Sequence, residues 1–107
     1  MSLRIVCAVA VGLSTLCGTA GAKDLIAVTD AEFGNGSGAS CNATEKVSHD
    51  CNGVASCSEE ASNGICPGGA DPALHQHKRL LVHYKCGTTS AKSIIAGEGQ
   101  QAQLSCE

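Results

Sequence analysis

Large aromatic side chains are nearly absent from this chain: among 107 residues there is no Trp, one Phe and one Tyr. Aromatics bury the most area per residue, so a core without them must be thin. There is no apolar run approaching the ~20 residues that span a bilayer, which excludes a membrane span. Lys and Arg number 7 against 10 Asp and Glu, with no basic stripe, which argues against nucleic acid or an anionic membrane surface as partner. No nucleophile elbow, no HExxH and no free Cys-His arrangement occurs, so the chain is not expected to be an enzyme. There is no internal repeat and no long linker.

What the chain has instead is cysteine, eight in all. Two of them, Cys7 and Cys17, fall in an N-terminal stretch with a charged start (Met1-Ser-Leu-Arg4), an apolar run from Ile5 to Leu16 and a small-residue site at Ala20-Gly21-Ala22. That order is the pattern of a secretory signal peptide, residues 1–22. Cleavage would leave one domain, residues 23–107, and loss of Arg4 would move the formal charge from -3 to -4. A domain of that size is marginal without covalent help. Six cysteines remain, Cys41, Cys51, Cys57, Cys66, Cys86 and Cys106, an even number that predicts three disulfides. The expected location is secreted or extracellular, or periplasmic in a Gram-negative bacterium.

The clearest periodicity lies near the end of Cys51 to Cys86. Leu80, Val82, Tyr84 and Cys86 alternate with Arg79, Leu81, His83 and Lys85, which predicts a strand with one dry face at the centre of the fold. Leu25 to Val28 is a first strand, with Ile26 and Val28 on one face, and Phe33-Gly34 ends it. Asn35 to Gly38 is a glycine-rich turn. Thr44 to Asp50 is a short helix, capped by Thr44 or Asn42 and burying Val47 and Cys51 at i, i+4. Cys57 to Ser62 is extended and, with Glu59-Glu60, exposed or poorly buried. Asn63 to Gln76 is a loop, Gly87 to Ser90 a turn, and Ala91 to Ala96 and Gln101 to Cys106 are two further strands about a bend at Gly97-Glu98-Gly99. The fold class is α/β (α+β): a small disulfide-stapled domain, mainly antiparallel sheet, with one or two short helices.

Six cysteines allow 15 pairings, and spacing fixes none of them. Cys51 and Cys57 suit a small loop around Asn52-Gly53. Cys86 and Cys106 each end a strand and suit a staple between neighbours, which leaves Cys41 and Cys66. His75 and His77 are two apart in a loop, too thin a pattern for a metal site, so no metal and no cofactor is expected.

Several segments, taken in order, resemble the sea-urchin-egg-lectin type of domain, the rhamnose- or galactose-binding lectins. Ala31-Glu-Phe33-Gly34 resembles the family's Ala-x-Tyr-Gly, and Cys51 to Cys57 its Cys-x-Gly-x-x-x-Cys. Ala61-Ser62-Asn63, Asp71-Pro72 and Lys78-x-Leu80-x-Val82-x-Tyr84-x-Cys86 follow in the family's order. The family's Glu-Gly and apolar-x-Cys precede these segments, whereas Glu98-Gly99 and Leu104-Ser105-Cys106 follow them here, so the resemblance implies a circular permutation. Two of the family's eight cysteines are missing, as a pair. The implied disulfides are Cys41–Cys66, Cys51–Cys57 and Cys86–Cys106.

The resemblance further implies metal-free binding of a monosaccharide at Asp71, Lys78 and Glu98, with Phe33 and Asn63 at the edge. Carboxylates accept hydroxyl protons and an ammonium donates, so such a set suits vicinal hydroxyls. Phe33 stands where the family has Tyr and lacks its hydroxyl. The implied partners are cell-surface or extracellular glycans. The rival expectation is a disulfide-rich protein-binding, adhesion or assembly module without a sugar site. The permuted tail is expected to lie beside Leu25 to Val28, in its own chain or, by strand exchange, in a homo-oligomer.

Overall fold

The computed structural model describes residues 24–88 and 90–107; the segment read as a signal peptide, residues 1–22, lies outside the described residues. Strand β1 (Ile26–Gly34) ends at Phe33-Gly34 as expected but continues without a break past Val28. Its pairing with β4 (Arg79–Cys86) shifts register between Val28 and Asp30. The extra residue is Thr29, whose hydroxyl donates to the His83 carbonyl at 3.1 Å. A bulge changes the phase of a strand, so Ile26 before it and Ala31 and Phe33 after it all face the core.

Gly34 allows the chain to double back, because a Cβ there would overlap the backbone of Ala39 and Ser40. Strand β2 (Ser40–Asn42) then pairs antiparallel with β1. Helix α1 (Thr44–Cys51) follows, and the Thr44 N–H donates to Asn42 Oδ1 at 2.9 Å. The N-cap is Ala43, with no side-chain cap bond, so neither expected residue caps the helix, although Asn42 satisfies the first helical N–H. The Thr44 hydroxyl instead accepts the Ala31 N–H at 2.9 Å, tying helix to strand. Val47 and Cys51 are fully buried, one turn apart.

The main sheet has the order β2-β1-β4-β5, all antiparallel, with β5 spanning Lys92–Gly97. A second, two-stranded sheet pairs β3 (Ser56–Glu60) with β6 (Gln101–Ser105). One core cluster joins Ile26, Phe33, Val47, Leu80, Val82 and Leu104 from these elements. The expected loop from Asn63 contains two single-turn 3-10 helices, Asn63–Ile65 and Pro67–Gly69. The fold is thus an antiparallel α+β domain with one α-helix among the described residues.

Three disulfides hold it, and their pairing matches what the resemblance implies. Cys41–Cys66, Cys51–Cys57 and Cys86–Cys106 have Cα–Cα distances of 5.7, 5.4 and 5.4 Å, ordinary for the bond. The first ties β2 to the 3-10 loop and the second ties the end of α1 to β3. The third ties the ends of β4 and β6, and so the two sheets.

Two expectations are corrected. The C-terminal strands do not lie beside Leu25 to Val28: β5 pairs with β4, and β6 with β3. The edge they would have used is already occupied, because the Ile26 N–H donates to Val54 O, the Gly53 N–H to Ile26 O, and the Val28 N–H to Asn52 Oδ1, at 2.9, 3.0 and 2.7 Å. Both strands close within the chain. Glu59, expected to face solvent, is only 6% exposed. Its strand is covered by α1 and zipped to β6, where Ala102 is its register partner.

Candidate functional site

Lys78 stands one residue before β4 and is 3% exposed. A buried ammonium must be paired and hydrogen-bonded, and here three partners come from the 71–76 loop and the fourth, Glu98, from the turn after β5. Nζ lies 3.1 Å from Asp71 Oδ1 and 3.5 Å from Glu98 Oε2, and donates to the carbonyls of Gln76 and Ala73 at 2.9 and 3.2 Å. An ammonium has three N–H donors, so these four acceptors use all of them.

Each carboxylate is in turn fixed by the main chain. Asp71 precedes Pro72 and forms a side-chain turn, its Oδ1 accepting the Ala73 N–H at 3.0 Å. Partial burial pushes the Asp71 carboxyl up, but the Ala73 hydrogen bond, the Lys78 hydrogen bond and charge, and the Asn63 side chain together hold it below its ordinary value. Glu98 occupies the turn after β5. Its Oε1 accepts the Lys78 N–H at 3.2 Å, and its own N–H donates to the Lys78 carbonyl at 2.9 Å. The turn is completed at Gly99, whose φ of +86° favours glycine. The Gly99 N–H donates to Ala61 O at 2.8 Å, and the Ala61 N–H donates to Gln100 O at 2.9 Å. Those bonds bring the Ala61-Ser62-Asn63 segment against the same turn, with Asn63 beside Asp71.

Four of the five residues singled out in the sequence, Asn63, Asp71, Lys78 and Glu98, therefore meet at one place. The chain matches no family model, no curated protein and no solved structure. The site is thus described by its own chemistry: two partly exposed carboxylates, with side chains 25% and 35% accessible for Asp71 and Glu98, held apart and aimed by a buried ammonium. Asn63 adds a buried Oδ1 that has no hydrogen-bond partner.

Two sequence expectations change here. Phe33 is 0% exposed and belongs to the core, so it offers no edge to a ligand. A chain with a single Phe and no Trp spends that side chain on packing. Lys78 was expected to donate to a ligand hydroxyl, whereas all its donors serve the protein. The residues missed by sequence reasoning are Ala73 and Gln76, which act through main-chain carbonyls. Side-chain identity does not report such a role. Gln76 is also held from the other side, its Oε1 accepting from Asn35 Nδ2 at 2.6 Å.

A second electrostatic feature lies under α1. Asp50 pairs with Lys46 at 3.1 Å and His49 at 3.3 Å. Burial, then the hydrogen bond and charge of Asp50, raise the Glu59 carboxyl to about 8 against the weaker pull of Lys46. The hydrogen bond from Glu59, helped by Lys46 and His49 against partial burial, lowers Asp50 to about 2. The pair shares one proton at neutral pH. A separate groove of about 700 Å³ is lined by Asn42, Thr44, His49, Ile65 and Pro67 and contains none of the five site residues. Among the described residues no three His, Cys, Asp or Glu side chains form a metal-type cluster, and no helix is long and apolar enough to cross a membrane.

Proposed function

We propose that the domain is an exported, circularly permuted lectin of the sea-urchin-egg-lectin type, binding a rhamnose- or galactose-like sugar on extracellular glycans. The observation that carries this reading is the convergence of Asp71, Lys78 and Glu98 with Asn63. Asn63, Asp71 and Lys78 come from one stretch of the chain and Glu98 from the turn after β5, and the Lys78 ammonium lies 3.1 and 3.5 Å from the two carboxylates. Three disulfides accord with export.

In this reading, binding is reversible and needs no metal. Adjacent ring hydroxyls donate to the exposed oxygens of Asp71 and Glu98, and Asn63 contributes at the rim. Lys78 is a positioning residue: it neutralises part of the carboxylate charge and sets their separation. The site is a shallow surface feature, so a single sugar binds weakly, and useful strength comes from several copies on one surface.

The rival reading is a protein-binding or adhesion module on the same scaffold. The engagement of every Lys78 donor within the protein favours it, because the set then also serves as an internal brace. A glycan array on the folded domain, followed by titration with free rhamnose and galactose, separates the two. The lectin reading expects saturable binding, weakened at least about fivefold in Asp71→Asn or Glu98→Gln, each of which puts an amide donor where an acceptor is needed. Array-wide silence from a correctly folded sample selects the rival.

A further inference from the structure

The outward-facing chemistry of this site is one-sided. Of the roughly four hydrogen bonds a carboxylate can take, Asp71 accepts three, from Ala73, Lys78 and the Asn63 side chain, and Glu98 two, from the Lys78 N–H and ammonium. The remaining lone pairs lie on side chains 25% and 35% exposed. The one cation present is 3% exposed, and its three N–H groups are shared among four protein acceptors. Two carboxylates against one ammonium leave a formal local charge of -1. The Asn63 side chain bonds Asp71, and its own carbonyl oxygen is buried beneath this surface. A ligand meeting this surface finds acceptors and negative charge, and no charged donor.

We propose that the preferred ligand of this site is an amino sugar bearing a free, protonated amine, with the ammonium seated between the exposed oxygens of Asp71 and Glu98. The inference rests on the carbohydrate-binding reading and specifies its ligand class. A neutral hexose satisfies the acceptors through hydroxyl donors alone. Hydroxyl and ammonium donors both make charge-assisted bonds to a carboxylate, but only the protonated amine also offsets the uncompensated charge. Repulsion from Lys78 is limited because four acceptors surround its ammonium. N-acetylation removes the charge and replaces a compact three-donor group with a bulkier amide, so the acetylated sugar loses the advantage.

The experiment titrates the folded domain, at neutral pH and low salt, with D-galactosamine, D-galactose and N-acetyl-D-galactosamine. D-Galactosamine is expected to bind about fivefold to tenfold tighter than D-galactose, with N-acetyl-D-galactosamine no tighter than galactose. Glu98→Gln should bring the galactosamine-to-galactose ratio down towards one. Glu45→Gln, on α1 and away from the site, makes the same change in net charge and should leave the ratio as it was, which separates local pairing from the general attraction of an acidic protein for a cation. Galactose binding with a ratio of one or less in the unaltered domain overturns the amine preference and leaves the lectin reading standing. Binding of none of the three sugars, nor of rhamnose, overturns both.

Discussion

Lys78 and Glu98 are bonded to each other three ways. The Lys78 N–H donates to Glu98 Oε1 at 3.2 Å, the Glu98 N–H donates to the Lys78 carbonyl at 2.9 Å, and the ammonium sits 3.5 Å from Oε2. The start of β4 and the turn between β5 and β6 are thereby locked as one piece. Asp71 extends the lock to the 71–78 loop. A site built in this way cannot lose its cation without loosening its frame.

Lys78→Ala should therefore destabilise the fold as well as weaken binding. It strands two carboxylates and leaves the Ala73 and Gln76 carbonyls without their donor. Leaving a buried carbonyl without its donor costs about 1–3 kcal/mol, and the part-exposed carboxylates add less. Thermal or urea melts of the variant check this; a melt unchanged from the parent would show that the ammonium does not brace the loop.

Stability should be greatest in mildly acidic solution because of Glu59 and Asp50. The Glu59 carboxyl rises from 4.5 to about 8 on folding, so its favourable contribution is complete below about pH 4.5 and is lost as pH climbs through 8. Asp50 falls from 3.8 to about 2, so its contribution is present above about pH 3.8 and is lost as pH drops through 2. Melting temperatures between pH 4 and 9 should decline on the alkaline side, and Glu59→Gln should flatten that decline. An equally steep decline in the variant would contradict the assignment.

Much of this was legible in the sequence, and the failures have identifiable causes. The strict alternation from Leu80 to Cys86 marked β4, and the ordered motifs led to the cysteine pairing and to Asn63, Asp71, Lys78 and Glu98 as a set. The end of β1 at Phe33-Gly34 was read correctly, but its alternation was followed only to Val28 because the bulge at Thr29 breaks the period-two pattern midway. Glu59 looked solvated because two adjacent glutamates usually are; its burial depends on α1 and β6, both distant in sequence. The placement of the C-terminal strands was missed because Asn52 to Val54 takes the β1 edge, through two main-chain bonds and the Asn52 side chain, and residue identity does not announce such a pairing. Phe33 was misread because a motif position was given more weight than the scarcity of large apolar side chains.

Restoring a hydroxyl at Phe33 tests that last point. Phe33→Tyr places an unpartnered hydroxyl in a fully buried position, at a cost of about 1–3 kcal/mol. The expected result is a lower melting temperature with no gain in sugar affinity. Tighter binding in the variant would mean that residue 33 reaches the ligand.

Cleaving the staple between the two sheets should be costly. Replacing Cys86 and Cys106 together by Ala removes the link between the ends of β4 and β6, and the loss is about 3 kcal/mol on the chain-entropy account. Peptide mapping under non-reducing conditions should recover Cys41–Cys66, Cys51–Cys57 and Cys86–Cys106. Recovery of Cys41 joined to Cys51 would contradict the fold described.

The central claim, that Asn63, Asp71, Lys78 and Glu98 form a sugar site, is tested most directly by following backbone amide resonances during titration with galactose and rhamnose. The account predicts saturable shifts concentrated at Asn63, at Asp71 to Lys78 and at Glu98-Gly99. An unchanged spectrum at high sugar concentration, or shifts centred on Asn42, Thr44 and His49 in the separate groove, would contradict it.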